Sequence, residues 1–223
     1  MSTQPLADRL RPTSFDQVCG QRHLVGDNGI LRRLRENDKI PNMVFYGPPG
    51  TGKTTVANII AKHSNMQLHK LNATTATLAD IRDVVSSTEN MFASNGTLLY
   101  LDEIQYFNKK QQQSLLEFLE NGKLTLIAST TENPHFCLYP ALLSRSSVFE
   151  FKAISIDDCI PTLKNALKTL NDDFGDNKVA DEGTLRGIAA ACGGDVRMSI
   201  GLLENAFYIS DKEVTEETVR VLA

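Results

Sequence analysis

The run GPPGTGKT at residues 47–54 constrains this chain more than any other eight residues do. It matches G-x-x-x-x-G-K-[ST], and its context is the one that pattern needs. Residues 42–46, Asn-Met-Val-Phe-Tyr, form a short apolar run that reads as a strand, and residues 53–63 carry helical spacing. A strand, a glycine loop and a helix in that order aim backbone N–H groups and a helix N-terminus at phosphate oxygens. Glycines are required because Cβ atoms would hold the phosphates away. Gly47, Pro48, Pro49, Gly50, Thr51, Gly52, Lys53, Thr54 and Thr55 are therefore the candidate phosphate-binding residues. Lys53 would reach the β and γ phosphates as a point charge, and the Thr54 hydroxyl would complete a Mg²⁺ shell made mostly of water and phosphate.

Around this motif, strands alternate with helices. Residues 67–72 read as a second strand, and residues 78–92 place Leu78, Ile81, Val84, Val85 and Met91 near helical intervals. An apolar strand at 97–101 ends in Asp102-Glu103, and a helix over 108–119 stops at Asn121-Gly122. Further strands follow at 124–129 and 148–151. Such alternation predicts an α/β fold, a parallel sheet between helical layers. After residue 152 the strand signals cease, and helices are expected over 156–170, 181–191 and 196–209. This divides the chain into a nucleotide-binding α/β domain, 1–153, and a small all-helical domain, 154–223.

The acidic pair indicates what is done with a bound nucleotide. A strand ending in a carboxylate delivers Asp102 to the carboxyl edge of the sheet beside the glycine loop, where it can hold Mg²⁺ through water. Glu103 has the reach to orient and deprotonate an attacking water. Hydrolysis, not binding alone, is the expected outcome. Asn72, ending the second strand, is either a polar group that redirects Glu103 or the cap of a turn.

Composition excludes several other classes. With 223 residues, 41% of them apolar, and a net charge of −4, the chain has the make-up of a folded globular protein. The N-terminal residues hold no apolar signal core, and nowhere do about 18 apolar residues run together, so a cytoplasmic protein with no membrane partner is expected, nucleoid-associated in a bacterial cell. Cys19, Cys137, Cys159 and Cys192 show no Cys-x-x-Cys pair, which argues for free thiols over zinc or disulfides. Charge is uneven, running +3 over residues 1–60, −1 over 61–152 and −6 over 153–223. Arg32, Arg33, Arg35, Lys109 and Lys110 could contact nucleic acid phosphates, or simply face solvent. No aromatic platform or recognition helix suggests base readout.

Taken together, GPPGTGKT, Leu-Asp-Glu-Ile at 101–104, Thr-Thr-Glu-Asn-Pro at 130–134, Ala-Leu-Leu-Ser-Arg at 141–145 and Gly-Gly-Asp-Val-Arg at 193–197 resemble AAA+ ATPases of the clamp-loader clade. The octad at 5–12, Phe107-Asn108-Lys109 and Thr-Glu-Asn-Pro narrow the resemblance to the RarA (MgsA) replication-associated recombination proteins, relatives of the Werner helicase-interacting ATPase. It implies a Mg²⁺-dependent ATPase acting in DNA replication, recombination and repair at stalled forks. It also implies that the C-terminal helices form a lid over the nucleotide.

Carried over by position, Thr131 resembles a sensor of the γ-phosphate, and Arg197 a second sensor acting from the lid. Arg145 resembles an arginine finger inserted into a neighbouring subunit, which requires a homo-oligomer. Leu10, Arg11, Pro12, Val18 and Gln21 fall where such proteins hold adenine. The implied partners are DNA forks, gaps or ends and replication-fork proteins. Family members continue into a helical oligomerisation region that this chain, ending at Ala223, lacks, so a monomer is compatible with this fragment. Where the family pattern has Ile-His-Arg-Phe-Asn-Lys, this chain has Ile104-Gln105-Tyr106-Phe107-Asn108-Lys109, and Ser147 stands where a second arginine is common. A clamp-loader subunit and a regulatory ATP-binding module with weak hydrolysis are the competing functional readings.

Overall fold

In a computed structural model, which describes residues 4–36, 40–89 and 96–223, the chain folds around one five-stranded sheet. Three short helices lead in: α1 (Leu6–Arg9), α2 (Arg22–Val25) and α3 (Ile30–Glu36). Then β1 (Met43–Tyr46), α4 (Lys53–Ser64), β2 (Gln67–Asn72), α5 (Leu78–Glu89), β3 (Thr97–Asp102), α6 (Lys109–Glu120) and β4 (Thr125–Thr130) alternate. Two single-turn helices, α7 (Pro134–Cys137) and α8 (Pro140–Leu143), precede β5 (Ser147–Glu150). Four helices close the chain: α9 (Ile156–Phe174), α10 (Glu182–Ala191), α11 (Val196–Ile209) and α12 (Glu216–Leu222). Every strand pairing is parallel, in the order β2-β3-β4-β1-β5.

The strand sequences explain this order. In β3 and β4, Leu98, Leu99, Leu101, Leu126, Ile127 and Ala128 are all inaccessible, as strands covered on both faces require. Edge strand β2, Gln-Leu-His-Lys-Leu-Asn, is only partly buried. One face packs Phe45, Leu98, Tyr100 and Ile127 against Val56, Ile59 and Ile60 of α4, and the other packs Val44, Leu99, Leu101 and Leu126 against α5 and α6. A third apolar cluster lies among α9, α10, α11 and α12 and takes in Leu6 from α1.

Most expected elements are present with ends shifted by one to four residues. Helix α9 runs on to Phe174, where Gly175 at φ 66° stops it, and α12 had no counterpart in the sequence reading. The expected helix at 78–92 is seen as α5 to Glu89; Met91 and Phe92 lie outside the described residues, as does the side chain of Arg35. Among the described residues no helix is long and apolar enough to cross a membrane.

Candidate functional site

Strand order positions the site. Because β4 lies between β1 and β3, the loop leaving β1 and the acidic pair leaving β3 flank the end of β4, where register pairs Tyr46 with Thr130 and Leu101 with Ala128. A cleft of about 770 Å³ opens at this carboxyl edge, within the range for small-molecule sites. Its walls include residues 49–55 of the glycine loop, Asp102, Glu103, Thr131, and Asp195 and Arg197 from the start of α11. Leu10, Arg11, Pro12 and Val18 line it from the N-terminal segment.

The glycine loop needs its glycines. Gly47, Gly50 and Gly52 have φ of 140°, 68° and 96°. A Cβ on Gly50 would also fall 2.1 Å from the carboxylate carbon of Asp195, so the start of α11 meets the loop at this residue. Helix α4 starts on Gly52 with no side-chain cap, whereas α6, α9, α10, α11 and α12 start on Asn108, Ser155, Asp181, Asp195 and Thr215, each accepting a backbone N–H. The donors at the start of α4 are thus left for an anion.

Lys53 is buried and bends back, its Nζ donating to the carbonyls of Gly47 and Pro48 at 2.8 Å each. Burial presses its ammonium below the ordinary lysine range, against the pull of Glu103, Asp102 and Asp195. Beside it the Tyr100 hydroxyl lies 2.9 Å from Thr54 Oγ1, 3.2 Å from Asp102 Oδ1 and 2.9 Å from Ser129 Oγ, and Ser129 also donates to Asp102. Burial, then the Asp102 charge, push the Tyr100 phenol above its ordinary range, so it stays a neutral hydroxyl. These are hard oxygen donors, and among the described residues no cluster of three His, Cys, Asp or Glu competes for a metal. The set fits a Mg²⁺ ion that takes one or two protein ligands and completes its shell from phosphate and water.

Several expected residues sit elsewhere. Gln21 does not line the cleft; it is buried, its amide donating to Lys152 O at 2.7 Å and accepting from Lys152 N at 3.0 Å, a brace between the N-terminal segment and the chain after β5. Gly47 and Pro48 also stand back from it and serve as acceptors for Lys53. Arg145 lies outside its own chain's cleft, at the surface, paired with Glu120 at 2.7 Å. Asn72 caps a turn, accepting from Thr74 N at 2.9 Å and Thr74 Oγ1 at 2.7 Å. Arg32 is held by Asp16 and by the carbonyl of Val25, which makes it a brace of the N-terminal segment. Tyr100, Ser129 and Asp195 were missed by sequence reasoning, and Gln105 was noted only as a departure from the family pattern. Asp195, two residues before Arg197, stood inside a recognised motif.

Comparison with known proteins gives this geometry a context. Residues 43–154 match the family model described as "ATPase family associated with various cellular activities (AAA)". The chain is 38% identical over 222 residues to the Replication-associated recombination protein A of Escherichia coli K12, covering 98% of this chain and 49% of that protein. It is 34% identical over 215 residues to "ATPase WRNIP1" of Dictyostelium discoideum, covering 96% of this chain and 24% of that one. The fold is shared with the Thermotoga maritima RuvB Holliday junction branch migration motor, at TM-score 0.77 and 22% identity over 95% of this chain and 71% of that one. The chain thus spans about half the length of the bacterial relative.

Proposed function

Because the chain belongs to the AAA family of ATPases, whose model matches residues 43–154, we propose that it binds ATP with Mg²⁺ and hydrolyses it. We further infer that it serves as the motor module of a RarA-like protein acting in DNA replication, recombination and repair. One observation carries this reading: Lys53, Thr54, Asp102, Glu103, Thr131 and Arg197, from four separate segments, line a single cleft.

In this reading the loop N–H groups and the open start of α4 hold the triphosphate, and Lys53 leaves its carbonyl partners for the β and γ phosphates. Mg²⁺ would supply charge neutralisation there, with Thr54 holding it directly and Asp102 through water. Tyr100 and Ser129 fix the Asp102 carboxylate. Glu103 takes the proton of the attacking water, and Thr131 orients that water or the γ-phosphate. Leu10, Arg11, Pro12 and Val18 hold the base. Residues 154–223 act as a lid that brings Arg197 over the nucleotide. Arg145, exposed away from this cleft, serves the cleft of a neighbouring copy in a homo-oligomer.

DNA forks, gaps or ends are the proposed regulators, a role that the names of the relatives support. Steady-state ATP hydrolysis with and without forked or gapped DNA tests both halves, with Glu103→Gln as the blank. Turnover well above the blank, raised by DNA, is expected. Turnover equal to the blank refutes hydrolysis by this chain; turnover that DNA leaves unchanged refutes regulation through this module.

A further inference from the structure

Glu103 does not stand alone in the cleft. Its backbone is left-handed, at φ 54° and ψ 46°, and it opens a single 3-10 turn, Ile104–Tyr106, pinned by the buried Ile104 and Phe107. That turn folds the chain back so that Gln105 Nε2 donates to Glu103 Oε2 at 2.6 Å, and the same nitrogen lies 3.5 Å from Thr131 Oγ1. In an extended strand these two residues would share a face but stand about 6–7 Å apart, and the turn brings their side chains together. Chemistry fixes the orientation of the amide, because a carboxylate only accepts and the group facing it must be the NH₂. Gln105 Oε1 is consequently left buried with no hydrogen-bond partner. Asn72, the other polar group considered for Glu103, is occupied by Thr74.

We propose that Gln105 is a positioning residue for hydrolysis: its amide ties the Glu103 carboxylate to the Thr131 hydroxyl, so that base and sensor address the same water. This rests on the hydrolytic reading above. With Oε2 held by the amide, Oε1 of Glu103 is the oxygen left to accept the proton of that water. The amide is neutral, so it orients the base without cancelling its charge.

The test compares Gln105→Ala, Gln105→Glu and Gln105→His, with thermal melting to establish folding and fluorescent ATP analogue titration for affinity. A hydrogen bond to a charged group corresponds to about ten- to a hundredfold in rate. Gln105→Ala is expected to lower kcat about tenfold with KM and analogue affinity within twofold. Gln105→Glu, equal in size but repelling Glu103, should lose more. Gln105→His, which restores a donor of similar reach, should recover most of the loss. An unchanged or raised kcat in Gln105→Ala, or a loss of affinity in parallel with kcat, overturns the proposal.

A second readout needs no turnover. In the nucleotide-free protein, the Gln105 side-chain amide NMR resonance, assigned by its disappearance in Gln105→Ala, should shift strongly in Glu103→Ala and more weakly in Thr131→Ala. If wild type hydrolyses no faster than Glu103→Gln, the hydrolytic reading fails while this resonance still judges the tether. A resonance indifferent to Glu103→Ala overturns the tether itself.

Discussion

Replacing Gly47 by alanine separates two costs that glycine loops usually combine. Gly47 has φ 140°, outside the left-handed helical well, and a Cβ there would fall 2.0 Å from the carbonyl oxygen of Phe151 and 2.9 Å from its carbonyl carbon. Phe151 cannot yield easily. Its N–H donates to Tyr46 O at 2.7 Å, and its inaccessible ring packs on Phe45 with centroids 5.0 Å apart. Relief would need a backbone shift of more than 1 Å at the end of β5, judged against ordinary contact of about 3.4 Å or more. Backbone strain costs about 1–3 kcal/mol, and overpacking adds about 1–3 kcal/mol, so about 4 kcal/mol is expected. Gly122 is the control, since at φ 65° it also favours glycine but has nothing within 4 Å of a new Cβ. Gly122→Ala should cost only the left-handed penalty of about 1 kcal/mol. Urea unfolding of the two nucleotide-free variants measures the difference directly. Equal losses would refute the collision and leave backbone conformation as the whole effect.

Other consequences follow from single contacts. Buried Gln112 donates to the carbonyls of Phe107 and Cys137, at 2.9 and 3.2 Å, and accepts from Tyr139 N at 2.7 Å, joining the turn after β3 to the end of α7 and the residue before α8. Gln112→Leu keeps the volume but strands three backbone groups, and urea unfolding should show a loss of about 3 kcal/mol; a change under 1 kcal/mol would mean that water replaces the amide. Arg145→Ala should lower ATP turnover by at least tenfold with little change in analogue affinity, since Arg145 lies outside its own cleft; equal losses of turnover and affinity would place it in its own subunit's site. Burial pushes the Cys19 thiol up from 9.0 to about 12. A raised thiol pKa leaves less thiolate at any lower pH, so at pH 8 alkylation of Cys19 should be about a thousandfold slower than that of a free thiol of ordinary pKa, and should climb with pH up to about 12. Mass-spectrometric labelling that levels off near pH 9 would show the thiol to be unburied in solution.

What the sequence disclosed depended on how local the governing physics is. The glycine loop and the strand ending in Asp102 are decided within a few residues, and they were legible along with the family, which whole-chain similarity to Replication-associated recombination protein A bears out. Lining of the cleft by Leu10, Arg11, Pro12 and Val18 required the family resemblance, because no local pattern sends an N-terminal segment to the edge of a sheet. The same analogy failed at Gln21, whose two hydrogen bonds to Lys152 span 131 residues and draw it under the loop. Tyr100 shows the limit most clearly. In Leu-Leu-Tyr-Leu-Asp it reads as one more apolar strand residue, and its ring does pack in the core with Phe45 and Ile127. Its hydroxyl, however, emerges among Thr54, Asp102 and Ser129, three residues brought together only when β4 inserts between β1 and β3. Gln105 is hidden for the opposite reason: it neighbours Glu103 in sequence, but only the left-handed turn at Glu103 converts that proximity into a contact. The departure from the family pattern at Gln105 thus falls on the side chain that donates to Glu103, the residue proposed as the base.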